Sequence, residues 1–173
     1  MTKSTGIIRR IDDLGRVVIP KEIRRTLRIH EGDPMELCVH DGGVFLKKYS
    51  AIGELGSFAQ NFADSLFETT GHIALICDRD YVIAVAGISK KEFLNKPIWD
   101  FVQLAMDERH TKVGYTEIVE EEFKYQSQIV TPIIFEGDVV GAVGLISKQE
   151  NMETPEQKLV EIVARTISKH MEC

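Results

Sequence analysis

Two periods of apolar residues run along this chain, and the change from one to the other divides it. Leu55, Phe58, Ala59, Phe62, Ala63, Leu66 and Phe67 step alternately by three and by one. That spacing lays one stripe along a helix and predicts a helix over about 54–70, stopped by Gly71. Ile73–Cys77 and Tyr81–Ala86 are short apolar runs on either side of Asp78-Arg79-Asp80, a predicted hairpin. Ser89-Lys90-Lys91-Glu92 has the spacing of a capping box and predicts a helix start. Pro97 interrupts that helix, and Ile98–Met106 resumes it. Residues 107–117 show no period and read as a mobile loop. Ile129–Phe135 and Val139–Ile146 predict a second hairpin across Glu136-Gly137-Asp138. Thr154-Pro155-Glu156-Gln157 then supplies an N-cap, a proline in the first turn and Gln at the third position. The closing helix carries Leu159, Ile162, Val163, Ile167 and Met171 on one predicted face. Helix, hairpin, helices, loop, hairpin, helix: this order is α+β, an antiparallel sheet flanked by its first and last helices.

The first 50 residues have a different grain. Gly6–Ile11 and Arg16–Ile19 read as strands around an Asp12-Asp13-Leu14-Gly15 turn, and Pro20 stands where a short helix can begin. Met35, Leu37 and Val39 alternate with Glu36, Cys38 and His40, and Asp41-Gly42-Gly43 turns the chain into a returning strand at Val44–Lys48. Four short strands and one short helix bury too little to be secure alone, so an obligate dimer is expected.

Charge changes the picture. Gly6–Ile29 holds Arg9, Arg10, Arg16, Lys21, Arg24, Arg25 and Arg28 against only Asp12, Asp13 and Glu22. Arginines on short, stiff elements present forked donors to phosphates and base edges, so this segment reads as a DNA-binding surface. Residues 1–50 carry ten Lys and Arg against seven Asp and Glu, a net +3, which leaves −9 on the other 123 residues of a chain whose total is −6. A basic head on an acidic body fits a protein that meets DNA through the head alone.

Other chemistry finds little support. Five histidines show no HxxxH or HExxH spacing, and Cys38, Cys77 and Cys173 form no CxxC pair, so neither a metal site nor a disulfide framework is indicated. Cys38 and Cys77 read as small buried or half-buried apolar residues. Asp107-Glu108-Arg109-His110 reads as a solvated polar loop. No catalytic constellation and no cofactor are expected. No apolar run approaches a membrane span and the N-terminus lacks a signal-peptide core, so a cytoplasmic protein without a membrane partner is expected.

The run TGIIRRIDDLGRVVIPKEIRRTLRI, with the later GDPMELCV and LKKY, resembles the N-terminal domain of AbrB-type transition-state regulators. That resemblance implies a swapped-hairpin β-barrel in which two chains intertwine. It also implies DNA contacts from Arg9, Arg10, Arg16, Arg24 and Arg25. The two-part plan resembles the regulators of this family that act in sporulation, as activator or repressor of different genes. Residues 56–173 resemble a GAF domain, and EGDVVGAVGLIS its central returning hairpin. The expected division is 1–50 for DNA binding, 51–55 as a short linker, and 56–173 for regulation and oligomerisation.

The Phe58, Phe62 and Phe67 stripe either faces only its own sheet or joins the first and last helices of paired copies in a bundle, and resemblance to the two-part regulators implies the bundle and a homotetramer. The GAF resemblance leaves two roles open, oligomerisation alone or sensing of a small-molecule effector, for which Asp78, Arg79, Tyr81, Arg109 and Thr131 are the candidate polar contacts. Gly141 and Gly144 would mark close approach of that ligand, a bulge or tight packing, the last two being the commoner causes. GAF-type reductases of free methionine sulfoxide rely on several pocket cysteines, whereas here only Cys77 lies inside the body of the domain, Cys173 being the last residue, so enzymatic turnover is not expected. An antitoxin-like module that neutralises a protein partner is the alternative. The patterned C-terminal region argues against it, because a flexible neutralising tail would lack apolar periods.

Overall fold

The computed structural model describes residues 7–50, 52–115, 118–120 and 123–171. Gly6 at the start of the first predicted strand, residue 51 of the expected linker, positions 116 and 117 of the expected loop, and Cys173 lie outside them. The chain divides into two compact units, Met1–Tyr49 and Ser50–Cys173.

In the first unit, helix α1 (Lys21–Thr26) follows Pro20, and strands β1 (Met35–His40) and β2 (Gly43–Lys48) form an antiparallel hairpin. His40 pairs with Gly43, leaving Asp41 (φ 50°) and Gly42 (φ 74°) as the two loop residues. Two left-handed residues give the turn whose twist matches that of the flanking strands.

The expected swapped-hairpin barrel is not what the structure has. The β1–β2 sheet is two-stranded, and among the described residues no sheet closes on itself. The reason is a shortage of partners: residues 7–11 and 16–19, within the segments expected as strands, form no ladder, so no strand among the described residues pairs with the outer edges of the hairpin. Their β-branched composition favours extended backbone, but a strand also needs a neighbour for its N–H and C=O groups.

The second unit is built on a five-stranded antiparallel sheet of order β4-β3-β9-β8-β5, comprising β3 (Ile73–Cys77), β4 (Val82–Ala86), β5 (Lys112–Tyr115), β8 (Ser127–Phe135) and β9 (Asp138–Ser147). A separate small hairpin joins β6 (Ile118–Glu120) to β7 (Phe123–Lys124). Both faces of the large sheet are covered, which is why its central strands read as unbroken apolar runs. On one face α2 (Gly56–Thr70) and α5 (Thr154–His170) pack over Ala74, Ile76, Ile129, Val143 and Leu145. On the other, α3 (Lys90–Phe93) and α4 (Asp100–Glu108) cover Leu75, Cys77, Val85, Val130 and Ile146.

Several boundaries moved for identifiable reasons. Gly71 ends α2 at φ 72°, as its spacing predicted. Ser89 caps nothing with its side chain, and α3 is one turn long. Helix α4 runs on through Glu108, and Lys112–Tyr115 is an edge strand where a loop was expected, because it needs a ladder on one side only. Helix α5 is capped by Glu153, not Thr154, through a reciprocal box with Glu156. Its buried line is Val160, Ala164 and Ile167, while Ile162 is 59% exposed.

The strand glycines are explained by packing. A Cβ on Gly141 would lie 2.1 Å from the Cys77 carbonyl oxygen and 2.7 Å from Ile52 Cδ1. One on Gly144 would lie 2.7 Å from Leu75 Cδ1.

Candidate nucleic-acid interface

The basic segment is shaped by two carboxylates. Asp12 organises the first turn: its Oδ1 accepts the backbone N–H groups of Leu14 (3.0 Å) and Arg16 (2.7 Å), and its Oδ2 accepts Arg16 Nε (2.8 Å). Gly15 takes the left-handed conformation (φ 76°) that closes this turn. The backbone N–H of Arg16 chiefly, and then its guanidinium, hold the Asp12 carboxyl below its ordinary range.

Asp33 does the corresponding work for α1. Its side chain is 1% exposed, and its Oδ2 accepts the His30 N–H at 2.7 Å and pairs with Lys48 Nζ at 2.9 Å. The same Lys48 ammonium donates to the Arg28 carbonyl at 2.9 Å. Arg28 stands just past α1 at φ 51°, so Lys48 fastens the helix end to strand β2. Capping by Pro20 and the carbonyl bonds of Leu27 to Ile23 and Ile29 to Arg24 complete a six-residue helix that could not persist in isolation.

This scaffold displays the arginines. Arg9, Arg10, Arg16, Arg24 and Arg25 are all exposed. Arg24 and Arg25 sit in the last turn of α1, where cations complement the helix dipole. Lys21, Arg24, Arg25 and Arg28 line one cleft with Ile29, His30 and Glu31. Arg16 is held instead on the Asp12 turn, and Arg9 and Arg10 lie before it, outside any helix or ladder. The structure therefore brings Arg24 and Arg25 together and adds Lys21 and Arg28, whose signal was their place in the same basic run. Fixed cations spaced along a short surface can neutralise phosphates, and arginine forks can also read base edges.

The candidate effector residues do not form one site. Asp78 Oδ1 accepts the N–H groups of Asp80 and Tyr81 and so serves its own turn. Tyr81 forms an isolated bridge to Pro97. Arg79 and Arg109 line a small cleft with Gln103, Asp107 and Asp138. Arg109 and Thr131 line a larger one against α5. Cys77 is fully buried, and burial first, then the neighbouring Asp78 charge, pushes its thiol far up. A thiol kept protonated is a poor nucleophile. Among the described residues no group of three His, Cys, Asp or Glu could hold a metal ion, and no helix is long and apolar enough to cross a membrane.

The family described as stage V sporulation protein T C-terminal, transcription factor, matches residues 54–172. The family described as antidote-toxin recognition MazE, bacterial antitoxin, matches residues 8–53. Over 178 residues the chain is 51% identical to stage V sporulation protein T of Bacillus subtilis, which takes in 98% of this chain and 99% of that protein. Over 47 residues it is 62% identical to transition state regulatory protein AbrB of B. subtilis, covering 27% of this chain and 49% of that one. The GAF domain of an Acinetobacter phosphoenolpyruvate-protein phosphotransferase superposes with a TM-score of 0.57 at 14% identity, over 68% of this chain and 82% of that structure. At that identity the shared feature is the fold.

Proposed function

The chain belongs to the stage V sporulation protein T family of transcription factors, and from that membership we propose how it works. It is a DNA-binding transcriptional regulator of the sporulation type, and family membership points to regulation, not catalysis. Residues 1–50 dock on DNA, with Arg9, Arg10, Arg16, Arg24 and Arg25 as the contacting side chains. Residues 56–173, joined through 51–55, regulate and oligomerise. The observation that carries this reading is the exposed Arg24–Arg25 pair, held at the end of α1 by the Lys48–Asp33 anchor.

Self-association follows from the apolar surface of the first unit. Ile8 is 89% exposed and Val39 82%, and Leu37, Val44 and Leu46 are exposed beside Val39 on the hairpin. Such a patch on so small a unit calls for a second copy. We place a further contact, making a tetramer, on α2 and α5. There Phe58 stacks on His170 at 3.9 Å and meets Phe62 edge-on at 4.8 Å, while Ile162 and Phe67 stay exposed. A small-molecule effector would act through the second unit, and the working compartment is the cytoplasm. The antitoxin reading rests on residues 8–53 alone, and no observation favours it over the transcription-factor match to 54–172.

The test is a DNA titration of the wild-type chain beside Arg24→Ala/Arg25→Ala, with circular dichroism to check folding. Each arginine that reaches DNA is worth about 1–3 kcal/mol, so the double variant should bind at least tenfold more weakly. Equal binding by both folded proteins would remove α1 from the interface.

A further inference from the structure

A cleft of about 830 Å³ lies between α5 and the β8 side of the sheet, on the face opposite α4. Its walls carry Arg109, His110, Arg165 and Lys169, and its floor includes Ala164, Pro132 and the largely buried Thr131. His110 lies 3.4 Å from a Glu108 carboxylate oxygen, but Arg165 and Lys169 are not balanced in the usual way. Glu161 stands one turn before Arg165, the ordinary place for an ion-pair partner on a helix. Glu161 lines the cleft as well, but its carboxylate is engaged by other neighbours: Oε1 accepts Gln157 Nε2 (2.8 Å) and the Thr111 hydroxyl (3.3 Å), and Oε2 pairs with Lys158 (3.1 Å). Those bonds, from Gln157 first and then Lys158, keep Glu161 ionised below its ordinary range.

Arg165 and Lys169 therefore meet no carboxylate among the described residues, although they are like charges at i and i+4. Thr111 and Thr131 hydroxyls lie 3.0 Å apart at the inner wall, where Thr111 donates to Glu161 and accepts from Thr131, which fixes that wall beside the cations. Arg109 is held there by donating to the Gly137 carbonyl, from a left-handed backbone (φ 58°).

We infer that this cleft binds a small polyanion, a metabolite bearing phosphate or carboxylate groups, with Arg165 and Lys169 as its main charge contacts. The inference builds on the regulator reading by giving the effector a chemical class and a location. A polyanion would relieve the repulsion between Arg165 and Lys169 and link α5 to β8, the elements that bound the cleft.

Thermal unfolding of the full chain tests it, with inorganic phosphate and citrate titrated separately at constant ionic strength. Wild type and Arg24→Ala/Arg25→Ala should both gain roughly 5–10 °C at a hundred times the dissociation constant, while Arg165→Gln/Lys169→Gln stays flat. A response to phosphate alone assigns a phosphoryl ligand, and one to citrate alone a carboxylate ligand. A flat wild type, or an equal rise in the cleft variant, overturns the inference. So does a flat wild type accompanied by a changed sedimentation coefficient in the cleft variant, which would assign these cations to contacts between copies. DNA affinity of the same samples separates the two readings, because Arg165→Gln/Lys169→Gln should bind DNA like wild type.

Discussion

In the first unit Pro20 is the one described residue that is buried, whereas the second encloses two apolar clusters, one on each face of its sheet. The second unit obtains its shape from packing: removing a buried side chain there leaves a cavity. The first holds its shape with turns and with two carboxylates, Asp12 and Asp33, while turning its apolar residues outward. A small unit that spends its side chains on display depends on its partners, whether DNA or a second copy. A substitution should therefore act on stability in one unit and on association in the other.

The largest expected effect is in the second unit. Gly141→Val would force a side chain against the Cys77 carbonyl, where even a Cβ lies at 2.1 Å. Overpacking of this kind costs about 3 kcal/mol, read as a lower midpoint in urea with the slope unchanged. A loss under about 0.5 kcal/mol, the size of an ordinary surface change, would mean the β3–β9 contact is slack. In the first unit, Asp33→Ala takes the carboxylate partner from Lys48, which keeps the Arg28 carbonyl, and the acceptor from the His30 N–H. Loss of one partner from such an anchor costs about 2 kcal/mol. The expected readout is faster amide exchange in 21–30 with exchange in the large sheet unchanged. Protection lost across both units would erase the contrast between them.

How far the chain could be read from its letters follows the same divide. Helix α2, both main hairpins of the large sheet and α5 were legible because each buries a long apolar period, which leaves its trace in spacing. Strand β5 was not, since an edge strand with Lys112 and Gly114 needs only one neighbour and little apolar surface. Ile162 was misplaced because it fits the period of α5 while the buried line runs through Val160 and Ala164. In the first unit the turns were legible, but 7–11 and 16–19 were read as strands from composition alone, and pairing is a property of neighbours. The basic run pointed to the surface proposed for DNA, whose arginines are exposed. The α5 cleft was only half visible, because Arg165 and Lys169 look like an ordinary solvated helix face until Glu161 is seen to be occupied.

The smallest effect concerns the Asp12 turn. Its carboxyl is held low in the folded chain, so the turn's contribution is fully present above the ordinary value of 3.8 and is lost as pH falls through the folded value. Carbon NMR should find Asp12 titrating below 3.8 in wild type and nearer 3.8 in Arg16→Gln. An unchanged midpoint in that variant would show that the Arg16 guanidinium contributes nothing beyond its backbone N–H.

The central claim is that the first unit meets DNA through its fixed arginines, and salt dependence tests it most directly. Two copies present up to ten of the five named side chains. If about 6–8 of them neutralise phosphates, log K for the full chain falls against log salt with a slope of roughly −5 to −7. A slope near zero, with binding retained, would contradict the account.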